Sequence, residues 1–314
     1  MDLPLAVGPA ISQTLGSMLF AITFVSPDPE AARGAVDRLS VALASGAAEV
    51  KSRRQMGPGA ADLIAEAGSV EELRQAAAEA IGEAAVDVCV QPAAGRRKGL
   101  FLADMDSTMI GCECIDELAD YAGVKAQVAA VTERAMRGEI EFEEALRQRV
   151  ATLKGLPEAV LGRCYAERVR LNPGARVLVR TMAAHGTHCM LVSGGFDAFT
   201  VPVAEAAGFA EQAANHLIVR DGMLTGEVTE PILGREAKLD ALLRHRAALG
   251  LSAEATLAVG DGANDLGMIE AAGLGVAYRA KPVVAARANA RLDHADLTAL
   301  LYFQGYAEAD FVRD

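Results

Sequence analysis

From Leu100 onward, short apolar runs alternate with helical stretches, and the runs end in acidic, hydroxyl or glycine residues. Leu100–Asp104, Thr187–Val192, Thr256–Val259 and Leu274–Ala277 are too short for independent helices and too continuously apolar for a half-exposed sheet. Helical patterns fill the gaps at Ala175–His185, Asp197–Ala207, Glu236–Ala248 and Asp265–Ala272. Strands buried on both faces and separated by helices imply an α/β fold with a doubly wound parallel sheet. Asp221-Gly222, between Arg220 and Met223, is a two-residue hairpin turn signal. One block interrupts the rhythm. Residues from Ile115 to Val169 are helical in pattern, and Asn172-Pro173-Gly174 stops them, so a helical cap is expected at about 112–172.

Ahead of this sheet, residues 1–95 read as a small α+β unit. Its elements are strand Leu19–Val25, helix Pro29–Leu43, strand Ala48–Gln55, helix Val70–Ile81 and strand Val86–Gln91. The segment Pro92–Gly99 (PAAGRRKG) reads as a flexible basic connector, dividing residues 1–95 from 96–314. The N-terminal apolar stretch has no basic start, and Ser12, Gln13, Thr14 and Ser17 break it well short of the ~20 residues of a membrane span. Met18–Val25 is therefore expected as a buried strand, in a soluble, cytoplasmic chain. Five cysteines, an odd number, do not form a disulfide framework. Cys112 and Cys114 lack the further ligands a structural metal site needs.

A net charge of -12 argues against a nucleic-acid partner, because phosphate-backbone affinity comes from clustered Lys and Arg. It does not exclude a small anion held by a few placed cations. Half of the excess, moreover, sits in residues 1–95, with 12 acids and 6 bases.

Three strand ends carry chemistry. Asp104 and Asp106, two residues apart, can face one crevice and supply a nucleophile and an acid/base; the plain alternative is an Asp-rich turn. Ser193-Gly194-Gly195 opens a helix and offers a hydroxyl and backbone N–H groups to an anion, or is a ligand-free tight turn. Gly260-Asp261-Gly262-Ala263-Asn264-Asp265 places Asp261 where magnesium would find oxygen ligands and Asn264 where it can hydrogen-bond a substrate; Asp265 can orient its neighbours. The alternative there is an acidic helix cap. Lys238 is a candidate cation, although a lone helical lysine is ordinarily a solvated one. In an open parallel sheet these ends line a common crevice, and the plain alternatives would all have to hold at once.

These motifs resemble those of the haloacid dehalogenase (HAD) superfamily of phosphatases. Residues 98–312 are most similar to its phosphoserine phosphatase family, through Gly111-Cys-Glu113-Cys-Ile-Asp-Glu117, Phe142–Val150 and Leu191-Val-Ser-Gly-Gly-Phe-Asp197. The resemblance implies a Rossmann-like sheet and magnesium-dependent hydrolysis of O-phosphoserine, the last step of serine biosynthesis. It implies Asp104 as the nucleophile that becomes aspartyl-phosphate, and Asp106 as proton donor and then base. Metal ligands would be Asp104, the Asp106 carbonyl and Asp261. Ser193, Gly194 and Lys238 would hold the phosphoryl group, and Glu113 and Arg149 would read the substrate's ammonium and carboxylate. Phe142 and Met136 would exclude water or simply fill the cap core. Met105 stands where the family often has Phe. Residues 1–95 loosely resemble ACT-like domains, which implies a regulatory role with an amino-acid effector or a homodimer contact. Two other readings remain. One is a HAD phosphatase or phosphotransferase on another small phosphomonoester; the other is an amino-acid-binding regulator with a vestigial catalytic domain.

Overall fold

The computed structural model describes residues 17–313 apart from 45, 47, 137 and 138, and the side chain of Met136 also lies outside the described residues. So does most of the interrupted apolar stretch at the N-terminus. The chain begins with β1 (Met18–Val25), α1 (Pro29–Leu43), β2 (Ala48–Gly57), β3 (Ala60–Ala67), α2 (Val70–Ile81) and β4 (Asp87–Pro92). They build a four-stranded antiparallel sheet of order β2-β3-β1-β4, the split βαβ arrangement. Helices start where side chains can cap them: Asp28 accepts the Glu30 N–H and Ser69 the Glu72 N–H.

Strand β1 is apolar almost throughout because both its faces are covered. Phe20, Ile22 and Phe24 pack with Leu39 of α1 and Leu73 of α2. On the opposite face Thr23 is fully buried and donates to Asp62 of β3 at 2.6 Å. Strand β3 itself escapes the sequence reading. Its sequence, AADLIAEA, is mostly alanine and acid and has little β propensity, so pairing with β1 and β2 sets its conformation.

The expected flexible connector is instead tied down. Arg96 donates to both Asp62 oxygens, at 2.7 and 3.0 Å, and also to the Thr23 hydroxyl and the Tyr302 and Phe303 carbonyls. Lys98 is buried and donates to the Glu254 carbonyl. The two basic residues read as a solvated linker thus fasten the four-stranded sheet to the rest of the chain.

Beyond the connector come β5 (Leu100–Ala103), α3 (Cys114–Tyr121), α4 (Lys125–Met136), α5 (Phe142–Ala151), α6 (Ala159–Arg168), α7 (Ala175–Ala184) and β6 (His188–Phe196). They are followed by α8 (Asp197–Ala207), β7 (Glu211–Asn215), β8 (Leu217–Arg220), β9 (Met223–Val228), α9 (Arg235–Ala248), β10 (Thr256–Gly260), α10 (Leu266–Ala271), β11 (Leu274–Tyr278) and β12 (Ala290–Leu292). The second sheet is parallel throughout, of order β12-β11-β10-β5-β6-β7. Chain order reverses between β5 and β10, the place where open α/β sheets bind ligands.

Alternation along the strands divides the interior into two layers. Phe101, Cys189, Leu191, Leu257 and Val259 face one core, while Leu100, Leu102, Met190, Val192 and Ala258 face the other. The block expected to be helical is so, as α3 to α6, inserted between β5 and β6. The expected hairpin is formed by β8 and β9. Among the described residues, no helix is long and apolar enough to cross a membrane, and all five cysteines are free thiols.

Candidate active site

Three strand ends of the parallel sheet deliver their polar residues to one place. Asp104 follows β5, and its N–H donates to the Val259 carbonyl of neighbouring β10 at 3.0 Å. That bond carries the sheet ladder one residue beyond the strand and fixes the carboxylate at the reversal point. The chain then turns through residues 105–109, closed by an Ile110 N–H to Met105 carbonyl bond of 3.0 Å. Within the turn Ser107 adopts a positive φ of 56°, a conformation that costs a non-glycine residue and clusters at functional sites. Its hydroxyl donates to Glu113. Asp106 accepts the Cys114 N–H at 2.9 Å, at the start of the cap.

Lys238 is 1% exposed and joins two of the strand ends. Its Nζ lies 2.6 Å from Asp104 Oδ1 and 2.7 Å from Asp265 Oδ1. The other Asp265 oxygen accepts the Gly262 N–H at 3.0 Å. Burial alone would lower the Lys238 pKa, but Asp104 and Asp265 more than reverse this and hold it above the ordinary range.

At the β6 end, the Ser193 hydroxyl accepts the Gly195 N–H at 2.9 Å and faces Asp106 Oδ2 at 3.4 Å. A Cβ on Gly195 would lie 2.8 Å from that Asp106 oxygen, and one on Gly194 would lie 3.0 Å from the Phe142 ring. Only glycine lets the backbone come this close to the carboxylate on one side and the cap on the other. Phe142 on α5 therefore bridges cap and sheet, touching Gly194 and Gly234, besides packing against the core.

The carboxylates repel one another. Burial and then the Asp265 charge hold Asp104 well above the usual range, with Lys238 opposing. Burial and Glu113 push Asp106 up to about 7; burial, Asp265 and Glu113 push Asp261 up to about 6. Such a set calls for a cation. Carboxylate oxygens of Asp104, Asp261 and Asp265 all lie within 4.8 Å of one another. Both Asp265 oxygens are already engaged, so Asp104 and Asp261 are the donors with capacity to spare. An all-oxygen set of this kind fits a hard divalent cation.

Arg149, half-buried on α5, donates its Nε to the Ala145 carbonyl and has no carboxylate within ion-pair distance among the described residues. Burial lowers its pKa, while the charges of Asp116, Glu113 and Asp106 work the other way. A guanidinium so placed can take a ligand carboxylate bidentately. Asn264 is half-buried beside Gly262. Asp104, Asp106, Ser193, Gly194, Lys238 and Asp261 are thus gathered at the strand ends, with Glu113 and Arg149 contributed by the cap.

Two residues that shape the site escape the sequence reading. Asn215 ends β7, donates to the Gly194 and Leu233 carbonyls, and accepts the Leu233 N–H at 2.7 Å. Asn172 donates to the Thr108 and Ile110 carbonyls, holding the turn after β5. Asn172 sits in a turn-like Asn-Pro-Gly segment and Asn215 at the end of the unremarkable EQAAN strand, so nothing local distinguishes either from an ordinary surface asparagine.

The family model of the haloacid dehalogenase-like hydrolases matches residues 101–270. The chain belongs to that family. Within it, the relatives include phosphoserine phosphatases. The chain is 44% identical over 245 residues to phosphoserine phosphatase SerB2 of Mycobacterium tuberculosis, an alignment covering 77% of this chain and 60% of that protein. To the phosphoserine phosphatase of Streptococcus thermophilus it is 46% identical over 200 residues, covering 64% of this chain and 93% of that one. A solved structure described as a phospho-aspartyl intermediate analogue of phosphoserine phosphatase superposes with a TM-score of 0.61 at 39% identity, covering 66% of this chain and 99% of the other.

Proposed function

We infer that this chain hydrolyses O-phosphoserine to serine and phosphate, with magnesium as its cofactor. The observation that carries the reading is the convergence of Asp104, Lys238 and Asp261 at the sheet reversal, beneath a cap that supplies Arg149 and Glu113. The relatives' names support the same substrate.

In this reading an Asp104 oxygen attacks phosphorus and the bond to the serine oxygen breaks. Asp106, whose burial favours the protonated form, gives that oxygen its proton, because an alkoxide is a poor leaving group. Asp106 then takes a proton from water, which attacks the aspartyl-phosphate and frees both phosphate and Asp104. Ser193, the Gly194 N–H and Lys238 surround the phosphoryl oxygens, and Asn264 adds a hydrogen bond from the neighbouring loop. Asp104, the Asp106 carbonyl and Asp261 would hold magnesium, which neutralises charge on the phosphoryl oxygens when bound. Arg149 takes the substrate carboxylate and Glu113 its ammonium group. Phe142, touching Gly194, keeps water from the closed site.

The division at residues 95 and 96 fits the two separate sheets, with the cap at about 112–172. The βαββαβ order of the first unit supports an ACT-like regulatory role, for which an amino-acid effector or a second copy would be the partner. Free thiols suit a cytoplasmic setting.

The test is phosphate release from O-phosphoserine before and after chelation. Release should stop on chelation and return with magnesium; release that persists without any divalent cation would refute the cofactor assignment.

A further inference from the structure

A second group of ligating side chains lies at the opposite, N-terminal end of the parallel strands, and no step of the phosphatase reading uses it. His188 begins β6, Glu211 begins β7 and His245 lies near the end of α9. Five residues of strand separate His188 from Ser193, which places the group roughly 16 Å from the phosphoryl crevice. Both imidazoles approach one carboxylate oxygen: His245 Nε2 lies 3.0 Å and His188 Nε2 3.3 Å from Glu211 Oε2. The two rings stack with centroids 5.5 Å apart.

The hydrogen bonding around the group leaves it incomplete. His245 Nδ1 is 2.8 Å from the Ala241 carbonyl, an acceptor, so Nδ1 carries a proton. Nε2 can then donate to Glu211 only from a doubly protonated ring; in the neutral ring it presents a lone pair to the carboxylate, and two acceptors face each other. His188 Nε2 is buried and has no hydrogen-bond partner. A backbone carbonyl on the far nitrogen is the usual way a metal-binding histidine is oriented. The 3.0 and 3.3 Å separations also approach the ~3.4 Å edge of a tetrahedron with ligands ~2.0–2.1 Å from a zinc ion.

We propose that His188, Glu211 and His245 form a binding site for a zinc-class divalent ion, which fastens β6 and β7 to α9. Two imidazoles and one carboxylate suit Zn²⁺, Co²⁺, Ni²⁺ or Cu²⁺ and disfavour Mg²⁺, which prefers the all-oxygen set at the other end. Glu211 is 46% and His188 28% exposed, so the ion can reach the site from solvent and complete its coordination with water. Because α9 carries Lys238 and β6 carries Ser193, the clamp fastens the elements that frame the phosphoryl site from behind.

The experiment is calorimetric titration of magnesium-saturated protein with Zn²⁺ and, separately, Ni²⁺, paired with thermal unfolding at each metal concentration. The wild-type protein should bind one equivalent and unfold at a higher temperature when loaded. Glu211→Gln, a half-exposed change that leaves the core intact, and His188→Gln/His245→Gln should each weaken binding at least about tenfold, the loss that even an outer-sphere partner brings. Both should also abolish the thermal shift. Co²⁺ loading should give an absorption spectrum without thiolate charge-transfer bands, separating this site from the free cysteines. An equivalent of metal retained by both variants, a thiolate spectrum, or no uptake by the wild-type protein would overturn the proposal.

Discussion

Lys238 Nζ lies within 2.7 Å of both Asp104 and Asp265, and no other cation stands within ion-pair distance of either carboxylate among the described residues. A single helical lysine thus makes it tolerable to bury two acids at the sheet reversal. Lys238→Met should destabilise the protein by about 3–5 kcal/mol, the cost of leaving buried charge without its partner. It should also remove phosphatase activity. Urea unfolding and phosphate release check the two effects separately. Wild-type stability in the variant would mean that the carboxylates do not depend on this ammonium group.

Arg149→Lys keeps the charge and removes the planar fork. The expected result is a rise in KM for O-phosphoserine of about tenfold or more, with a much smaller change for an aryl phosphate that has no carboxylate. Steady-state kinetics on the two substrates decide it. Equal losses on both would place Arg149 in the phosphoryl site or in the cap's packing instead.

The two leaving groups also separate the aspartates. Asp106→Asn should slow turnover of O-phosphoserine by about 10²–10⁴-fold, the usual weight of a positioned acid. Aryl phosphate should suffer less at the bond-breaking step, because a phenolate leaves without a proton. Burst kinetics on the aryl substrate should reveal accumulation of the phosphorylated enzyme. Asp104→Asn should abolish both reactions and the burst.

Arg96 joins the first sheet, through Asp62, to the Tyr302 and Phe303 carbonyls near the C-terminus, with the Arg96 and Asp62 side chains 9% and 3% exposed. Arg96→Ala should cost about 3–5 kcal/mol, because Asp62 would keep its burial and lose its main counter-charge. Pairing it with Asp62→Leu should recover much of that loss. The measurement is chemical denaturation of the single and double variants; a single variant within about 0.5 kcal/mol of wild type would show that the seam does not rest on this pair.

How far the sequence revealed this molecule depended on whether the signal was local. Helices α1, α2 and α8 lie where the helical pattern of the sequence places them, and Leu100, Leu102, Phe101 and Val259 fill the cores their continuous apolar runs imply. The chemistry was legible because Asp104, Ser193 and Asp261 each end a strand of one parallel sheet. Strand β3 was hidden because its alanines carry no β signal until β1 and β2 flank them. Arg96 and Lys98 looked like linker charges because their partners, Asp62 and the Glu254 carbonyl, are distant in the chain. Asn215 was missed for the same reason: its importance lies in Gly194 and Leu233, which only the fold brings to it.

The most direct test of the central claim is the magnesium-dependent rate of phosphate release from O-phosphoserine, measured beside phosphothreonine, phosphoglycolate and an aryl phosphate. A site built from Asp104 and Lys238 beneath Arg149 and Glu113 predicts that kcat/KM for O-phosphoserine exceeds each of the others by at least about tenfold. Equal rates on all four would contradict the substrate assignment, and no release from any would contradict catalysis itself.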